Sequence, residues 1–112
     1  MSSPIVYVEI AGPDGDALKA FYDAVFGWRM DGVKRPGYGF VPTVEAGDVL
    51  WGVRQDPAET LIYIQVPDLQ ATLDAINAHG GQTVVPPTEV PGVVAFALFS
   101  DPAGNRMGLV QG

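Results

Sequence analysis

The sequence contains no cysteine and a single histidine, His79. The first absence removes disulfides, thiolate zinc sites, iron–sulfur clusters and cysteine nucleophiles from consideration. Basic residues are scarce as well: 6 lysines and arginines stand against 13 acidic side chains, for a formal charge of −7 and a pI of about 4.3. Such a surface repels phosphate backbones and anionic lipid heads, so nucleic acid and membranes are poor partners and a neutral or cationic small molecule is the expected one. No run approaches the ~18 apolar residues of a membrane span, and Met1 to Ile10 has neither a basic n-region nor a long apolar h-region. The expected compartment is the cytoplasm. No phosphate-binding loop, Ser-His-Asp set or basic aromatic patch is recognisable; Gly12-Pro13-Asp14-Gly15 lacks the Lys-Ser/Thr of a P-loop, and its proline removes a donor.

What is present is apolar and punctuated. Hydrophobic residues make up 47% of the 112, ample for a core, and the length suits one domain spanning residues 1–112. The 14 glycines and 10 prolines sit singly or in pairs between apolar runs, which marks many short elements joined by tight turns.

The chain repeats itself once. Ile5 to Ile10 followed by Gly12-Pro13-Asp14 matches Leu61 to Val66 followed by Pro67-Asp68, with an offset of 68 − 14 = 54 between the two aspartates. Two units result, about 4–55 and 59–111. Each opens with strand-like alternation and then switches to helical spacing: Val6, Val8 and Ile10 precede Ala17, Leu18, Phe21, Val25 and Phe26, while Ile62, Ile64 and Val66 precede Leu69, Leu73 and Ile76. Asp14 or Asp16 is placed to cap the first helix, Gly27 to stop it, and Gly80-Gly81 to end the second. Short β-prone runs follow each helix: Trp28 to Met30, Gly39 to Val44 and Val49 to Arg54, then Thr83 to Val85, Val93 to Phe99 and Arg106 to Val110. Residues Asp31 to Gly37 read as a surface connection. The predicted architecture is α+β: two tandem βαβββ units forming a curved mixed sheet, with helices on the outer face and an open concave cleft.

Alternation also assigns faces. If the aliphatic set of each opening strand packs under its helix, then Tyr7 and Glu9, with Leu61, Tyr63 and Gln65, face the open side. By the same logic the last strand of each half contributes Trp51, and Gly108 with Arg106 and Val110. A pocket lined by Tyr7, Trp51 and Tyr63 with one carboxylate has the mixed character of a small-molecule site, although the same aromatics would also serve between the halves or at a subunit interface. A carboxylate in an apolar strand must be solvated or paired, so Glu9 is either a catalytic acid or base or the partner of an arginine such as Arg106 or Arg54. His79 is placed to interact with the end of the second helix, and Asp14, Asp68 and Asp101 to cap or turn the chain.

These residues resemble the vicinal oxygen chelate superfamily, which includes glyoxalase I, the extradiol dioxygenases and the bleomycin-resistance proteins. The resemblance covers nearly the whole chain. It is carried by Pro4-Ile5-Val6-Tyr7-Val8-Glu9-Ile10, by Phe21-Tyr22 through Val25-Phe26-Gly27-Trp28, by Tyr63 to Leu69, by Val84 to Gly92, and most specifically by Phe99-Ser100-Asp101-Pro102-Ala103-Gly104-Asn105-Arg106 ahead of the final strand. It looks most like the small single-domain branch related to lactoylglutathione lyase. The resemblance implies a homodimer and, in the family's enzymes, one divalent metal held by His and Glu or Gln from the first and last strands of each unit. Those four places fall here on Tyr7, about Trp51, Leu61 and Gly108, and a Trp, a Leu and a Gly supply no side-chain donor. The expectation is therefore no metal cofactor.

Three functions compete. The first is a glyoxalase/bleomycin-resistance-like protein that binds a small molecule in the cleft without metal, through Tyr7, Trp51, Tyr63, Gln65 and Arg106. The second is a metal-independent lyase or isomerase using Glu9 as general acid or base. The third is a non-catalytic dimerisation or regulatory domain.

Overall fold

Asp14 and Asp68 set the frame of the two halves. In the computed structural model, which describes residues 2–27, 34–35, 39–40, 50–92 and 94–112, each aspartate caps a helix: Asp14 Oδ1 accepts from Ala17 N at 3.1 Å and Asp68 Oδ1 from Ala71 N at 3.0 Å. Both satisfy a backbone donor that the first helical turn leaves without an intrahelical partner. Strand β1 (Ile5–Gly12) precedes the first cap and β5 (Glu59–Val66) the second, so strands and caps share the offset 59 − 5 = 54, which sets Ile5 against Glu59 and not, as the sequence match has it, against Leu61. The helices are α1 (Gly15–Phe26) and α2 (Leu69–Ala78). After α1 come β2 (Lys34–Arg35), β3 (Gly39–Phe40) and β4 (Leu50–Gln55); after α2 come β6 (Gln82–Val90), β7 (Val94–Ser100) and β8 (Arg106–Gln111). The described residues thus form two βαβββ runs, an α+β arrangement with mixed strand directions.

The chain divides into two compact units, one of Met1–Val6 with Ile62–Gly112 and one of Tyr7–Leu61. In the first, the strands run in the order β5-β8-β7-β6, with β5 and β8 parallel and the other neighbours antiparallel. Its core is built from one face of that sheet and one stripe of α2: Leu69 and Leu73 pack with Val66, Ala97, Phe99 and Leu109, flanked by Ile64, Ile76, Ala95 and Met107. This is the side expected from the period-2 pattern. In the second unit the order is β2-β3-β4-β1, with β1 and β4 parallel. A β-carbon at Gly12 would meet Leu18 Cδ2 at 3.2 Å, so α1 lies on the face of β1 that carries the even-numbered residues. Much of the α1 stripe is nonetheless open: Phe21, Val25 and Phe26 are each more than half exposed, and Tyr22 stacks on Phe26 with centroids 6.0 Å apart.

Two boundaries differ from the sequence reading. The run Trp28 to Met30 lies outside the described residues; among the described residues a strand forms at Lys34–Arg35, inside the segment read as a connection. Two ladder pairs with β3, Lys34 with Phe40 and Arg35 with Gly39, convert those residues to strand. Strand β6 runs on through Pro86 and Pro87 to Val90. It is the outermost strand of its unit, where a missing N–H costs no ladder bond, and register shifts between Thr83 and Val85 and between Val85 and Thr88 absorb the mismatch.

The stops match the residues chosen for them. Gly27 ends α1 at φ 68°, a left-handed conformation that glycine adopts without a Cβ clash, and its N–H bonds Asp23 O at 3.0 Å. His79 caps α2, with Nδ1 2.8 Å from Ala75 O. Among the described residues, no helix is long and apolar enough to cross a membrane.

Candidate functional site

In the unit Tyr7–Leu61, the parallel pairing of β1 with β4 fixes which residues meet. Tyr7 is opposite Leu50, Glu9 opposite Gly52 and Ala11 opposite Arg54, so Tyr7, Glu9 and Arg54 belong to one face. Glu9 is buried, 2% exposed, and its Oε1 lies 3.0 Å from Arg54 Nη1. Gly52, opposite Glu9, adds no side chain between them. Arg54 is the hub of a larger cluster: Nη2 reaches Glu59 Oε1 at 3.0 Å, and Nε is 3.4 Å from Asp56 Oδ2, an ion-pair separation without hydrogen-bond geometry. The Asp56 N–H bonds Gly12 O at 3.0 Å and so ties the end of β4 to the end of β1. Of the two roles open to Glu9, the structure places it in the ion pair with Arg54. A guanidinium at that distance favours the ionised carboxylate.

The same register corrects the face given to Trp51. It pairs with Val8, which groups position 51 with Val8 and Ile10 and not with Tyr7 and Glu9. Alternation along an isolated strand fixes which residues share a face but not which face that is. Only the pairing with β1 supplies the phase.

In the other unit, the face turned away from α2 carries Tyr63 and Gln65 on β5, paired in register with Gly108 and Val110 of β8. Both β5 side chains lean over glycines. A β-carbon built at Gly108 would lie 2.7 Å from Tyr63 Cγ and closer still to Cδ2 and Cε2, and one at Gly112 would lie 3.0 Å from Gln65 Cδ. The Tyr63 ring therefore fills the space into which a side chain at 108 would project. Tyr63 is buried and Gln65 half-buried. Leu61, on the same strand, is fully buried. Arg106 opens β8 as an exposed residue opposite Ser100. Sequence reasoning missed the contact between Tyr63 and Gly108, although a glycine inside a strand is itself a sign of close approach.

The turn before β8 is built on Asp101. Its Oδ1 accepts from Ala103 N and Asn105 N, each at 2.9 Å, and Oδ2 from Asn105 Nδ2 at 2.8 Å. These bonds, led by that of the Asn105 side chain, hold the Asp101 carboxyl below its ordinary value of 3.8. The turn sets where β8 begins, and hence where Arg106 and Gly108 stand.

The metal positions implied by the resemblance are accordingly a phenol at 7, a tryptophan at 51, a buried leucine at 61 and a glycine covered by a ring at 108. Among the described residues, no three His, Asp or Glu side chains are grouped to hold a metal ion. This donor set does not fit a divalent metal.

Duplicated βαβββ units, each with a strand face turned away from its helix, define a class of α+β proteins built by repetition of one motif. The model of the Glyoxalase/Bleomycin resistance protein/Dioxygenase superfamily matches residues 4–109, and the chain belongs to that superfamily. Among curated relatives, it is 28% identical over 115 residues to a putative glyoxylase, CFP32, of Mycobacterium tuberculosis, covering 94% of this chain and 44% of the relative. It is 27% identical over 131 residues to the anthracycline biosynthesis protein DnrV of Streptomyces peucetius, covering 95% and 48%. The chain thus spans about half the length of these relatives. A glyoxylase-like domain-containing protein of Didymella fabae is 30% identical over 112 residues, with 88% and 85% covered. Among solved structures, a Streptomyces coelicolor methylmalonyl-CoA epimerase in complex with 2-nitronate-propionyl-CoA superposes with a TM-score of 0.69 at 17% identity, over 99% of this chain and 95% of that one. A hypothetical protein of Bacillus halodurans reaches 0.76 at 14% identity, over 100% and 96%. At such identities the likeness is one of fold.

Proposed function

We propose that the chain is a small-molecule-binding member of the superfamily that works without the metal bound at the four family positions. The observation that carries this reading is the Tyr63 ring over Gly108, an aromatic group where the family's enzymes offer a donor. Within one unit Tyr63, Gln65 and Arg106 supply the apolar and polar mixture that small ligands use, and in the other Tyr7 stands on the strand face of Glu9. Glu9 enters as the anchor of Arg54 and not as a general acid or base, because a carboxylate already matched by a guanidinium and shielded from water has little to gain from taking a substrate proton. The wider expectations that accompany this reading are a cytoplasmic homodimer with no nucleic-acid or membrane partner, and light scattering at micromolar concentration tests the dimer.

Thermal unfolding of metal-stripped protein, scanned with Mn, Ni, Zn, Fe(II) and Mg and then with a panel of small aromatic and charged metabolites, tests the proposal. A ligand that binds only the native state at 100 times its Kd adds about 2.7 kcal/mol. We expect no metal-specific rise and at least one organic response. A metal-specific rise would overturn the metal-free reading, and silence from both sets would favour the structural or dimerisation role.

A further inference from the structure

Strand β6 covers a strand that carries no charge of its own. β7 reads Val94-Ala95-Phe96-Ala97-Leu98-Phe99-Ser100, six apolar residues without proline, glycine or charge, a composition that pairs readily with further strands. Among the described residues, no strand lies outside β6 in this unit. A regular nine-residue strand in that place would offer an unbroken row of outward N–H and C=O groups to any further strand. β6 is not regular. Its register with β7 passes from Thr83 opposite Phe99 to Val85 opposite Leu98, and from there to Thr88 opposite Phe96, so an extra residue enters the strand twice. Pro86 and Pro87 fall in the second of these bulges. Successive residues of a strand aim their backbone groups at opposite edges, so one of two adjacent prolines removes an outward donor whatever the phase. The acceptor beside them is engaged as well: Thr88 Oγ1 donates to Pro86 O at 2.8 Å. Pro86, Pro87, Thr88 and Glu89 are all exposed, which puts these features on the surface.

We propose that Pro86, Pro87 and Thr88 close the outer edge of β6 to a second copy of this chain. The block leaves stretches of four residues (82–85) and three (88–90) on either side, against the five or six of an ordinary strand, and the longer stretch is itself broken by the bulge at Val84. Glu89 puts a negative charge on the shorter one, and an incoming copy with a formal charge of −7 brings the same sign to it. Two prolines weaken the pairing of β6 with β7; a closed edge over an uncharged apolar strand is what offsets that loss. The inference stands apart from the small-molecule reading, since it concerns the edge of the sheet and not the faces that carry Tyr63 and Tyr7. Its consequence is that a dimer of this chain uses another surface.

The test restores the edge in the intact chain. Pro86→Thr and Pro87→Thr together with Thr88→Val return two N–H groups, release the carbonyl at position 86 and leave 85–90 as a run of six residues. Light scattering reads the mass, and circular dichroism with a cooperative unfolding transition shows that the protein is folded. We expect the mass of the folded triple variant to rise at least about two-fold above the parent's over an about hundred-fold span of concentration. Thr88→Asp in place of Thr88→Val, on the same two proline substitutions, should return the mass to the parent's, because like charges then meet across the paired edges. A folded triple variant with the parent's mass at every concentration would overturn the proposal. So would a rise that Thr88→Asp leaves in place, since association through unfolded chain does not depend on one edge position. If the triple variant does not fold, Pro86→Thr and Pro87→Thr taken singly carry the test: at least one should gain mass, and parental mass in both would overturn the proposal.

Discussion

Replacing Gly108 with alanine adds one carbon to a place that the Tyr63 ring already fills. The new atom would sit 2.7 Å from Tyr63 Cγ and closer to the ring's Cδ2 and Cε2, where real β-carbons are not found. Gly108 and Tyr63 are both buried and paired across two parallel strands, so the ring has little room to yield without shifting β5 or β8. Overpacking of this kind costs about 1–3 kcal/mol. For a chain of this size that corresponds to a fall of about 5–15 °C in the unfolding midpoint. Urea denaturation of four proteins, the parent, Gly108→Ala, Tyr63→Ala and the double variant, measures it. Tyr63→Ala alone should cost about 3 kcal/mol through lost burial. In the double variant the alanine at 108 should cost almost nothing, giving a coupling of about 1–3 kcal/mol between the two sites. A Gly108→Ala protein as stable as the parent, or additive effects in the cycle, would refute the placement of the ring over the last strand and with it the physical case against a donor at that position.

The remaining expectations concern charge. Arg54→Met leaves the buried Glu9 carboxylate without its guanidinium and should destabilise by about 3 kcal/mol, whereas the double variant Glu9→Leu with Arg54→Met should recover much of the loss; chemical denaturation decides. Glu9→Gln should leave unchanged the affinity for any organic ligand found in the metabolite panel, and abolition of a measured turnover by this substitution would restore Glu9 as an acid or base. Asp101 has a depressed folded-state pKa, so its contribution is fully present above the ordinary carboxyl range and is lost as pH falls through the folded value. The midpoint difference between the parent and Asp101→Asn should therefore be flat near neutral pH and close in acid, and a difference that widened below about pH 4 would contradict the turn's hydrogen-bond pattern.

The fold was legible because its signals are local. The 54-residue repeat, the aspartates that cap both helices and the glycine that ends α1 act within a few residues of themselves, and each is found where the alternation and helical spacing put it. The stripe of α2 follows from the same periodicity, since Leu69 and Leu73 have one sheet face to bury against. The β-prone run Thr83 to Val85 is shorter than strand β6, whose Pro86 and Pro87 would ordinarily argue against a strand interior. Its place at the outside of the unit is a tertiary fact that suspends the argument.

The site was legible only in its parts. Sequence by itself determined the family, the absence of thiol chemistry, the poverty of donors at positions 7, 51, 61 and 108, and the need for Glu9 to find a partner. Tertiary structure decided which partner that is, since Arg54 and Arg106 were equal candidates until β4 paired with β1 and set Arg54 two residues beyond Glu9 on the same face. It likewise moved Trp51 to the face of Val8 and laid Tyr63 across Gly108. The physical reason is common to all three. Side-chain alternation is a property of one strand, whereas the phase between strands, and hence which residues touch, comes from hydrogen-bond register between segments some 45 residues apart in the chain.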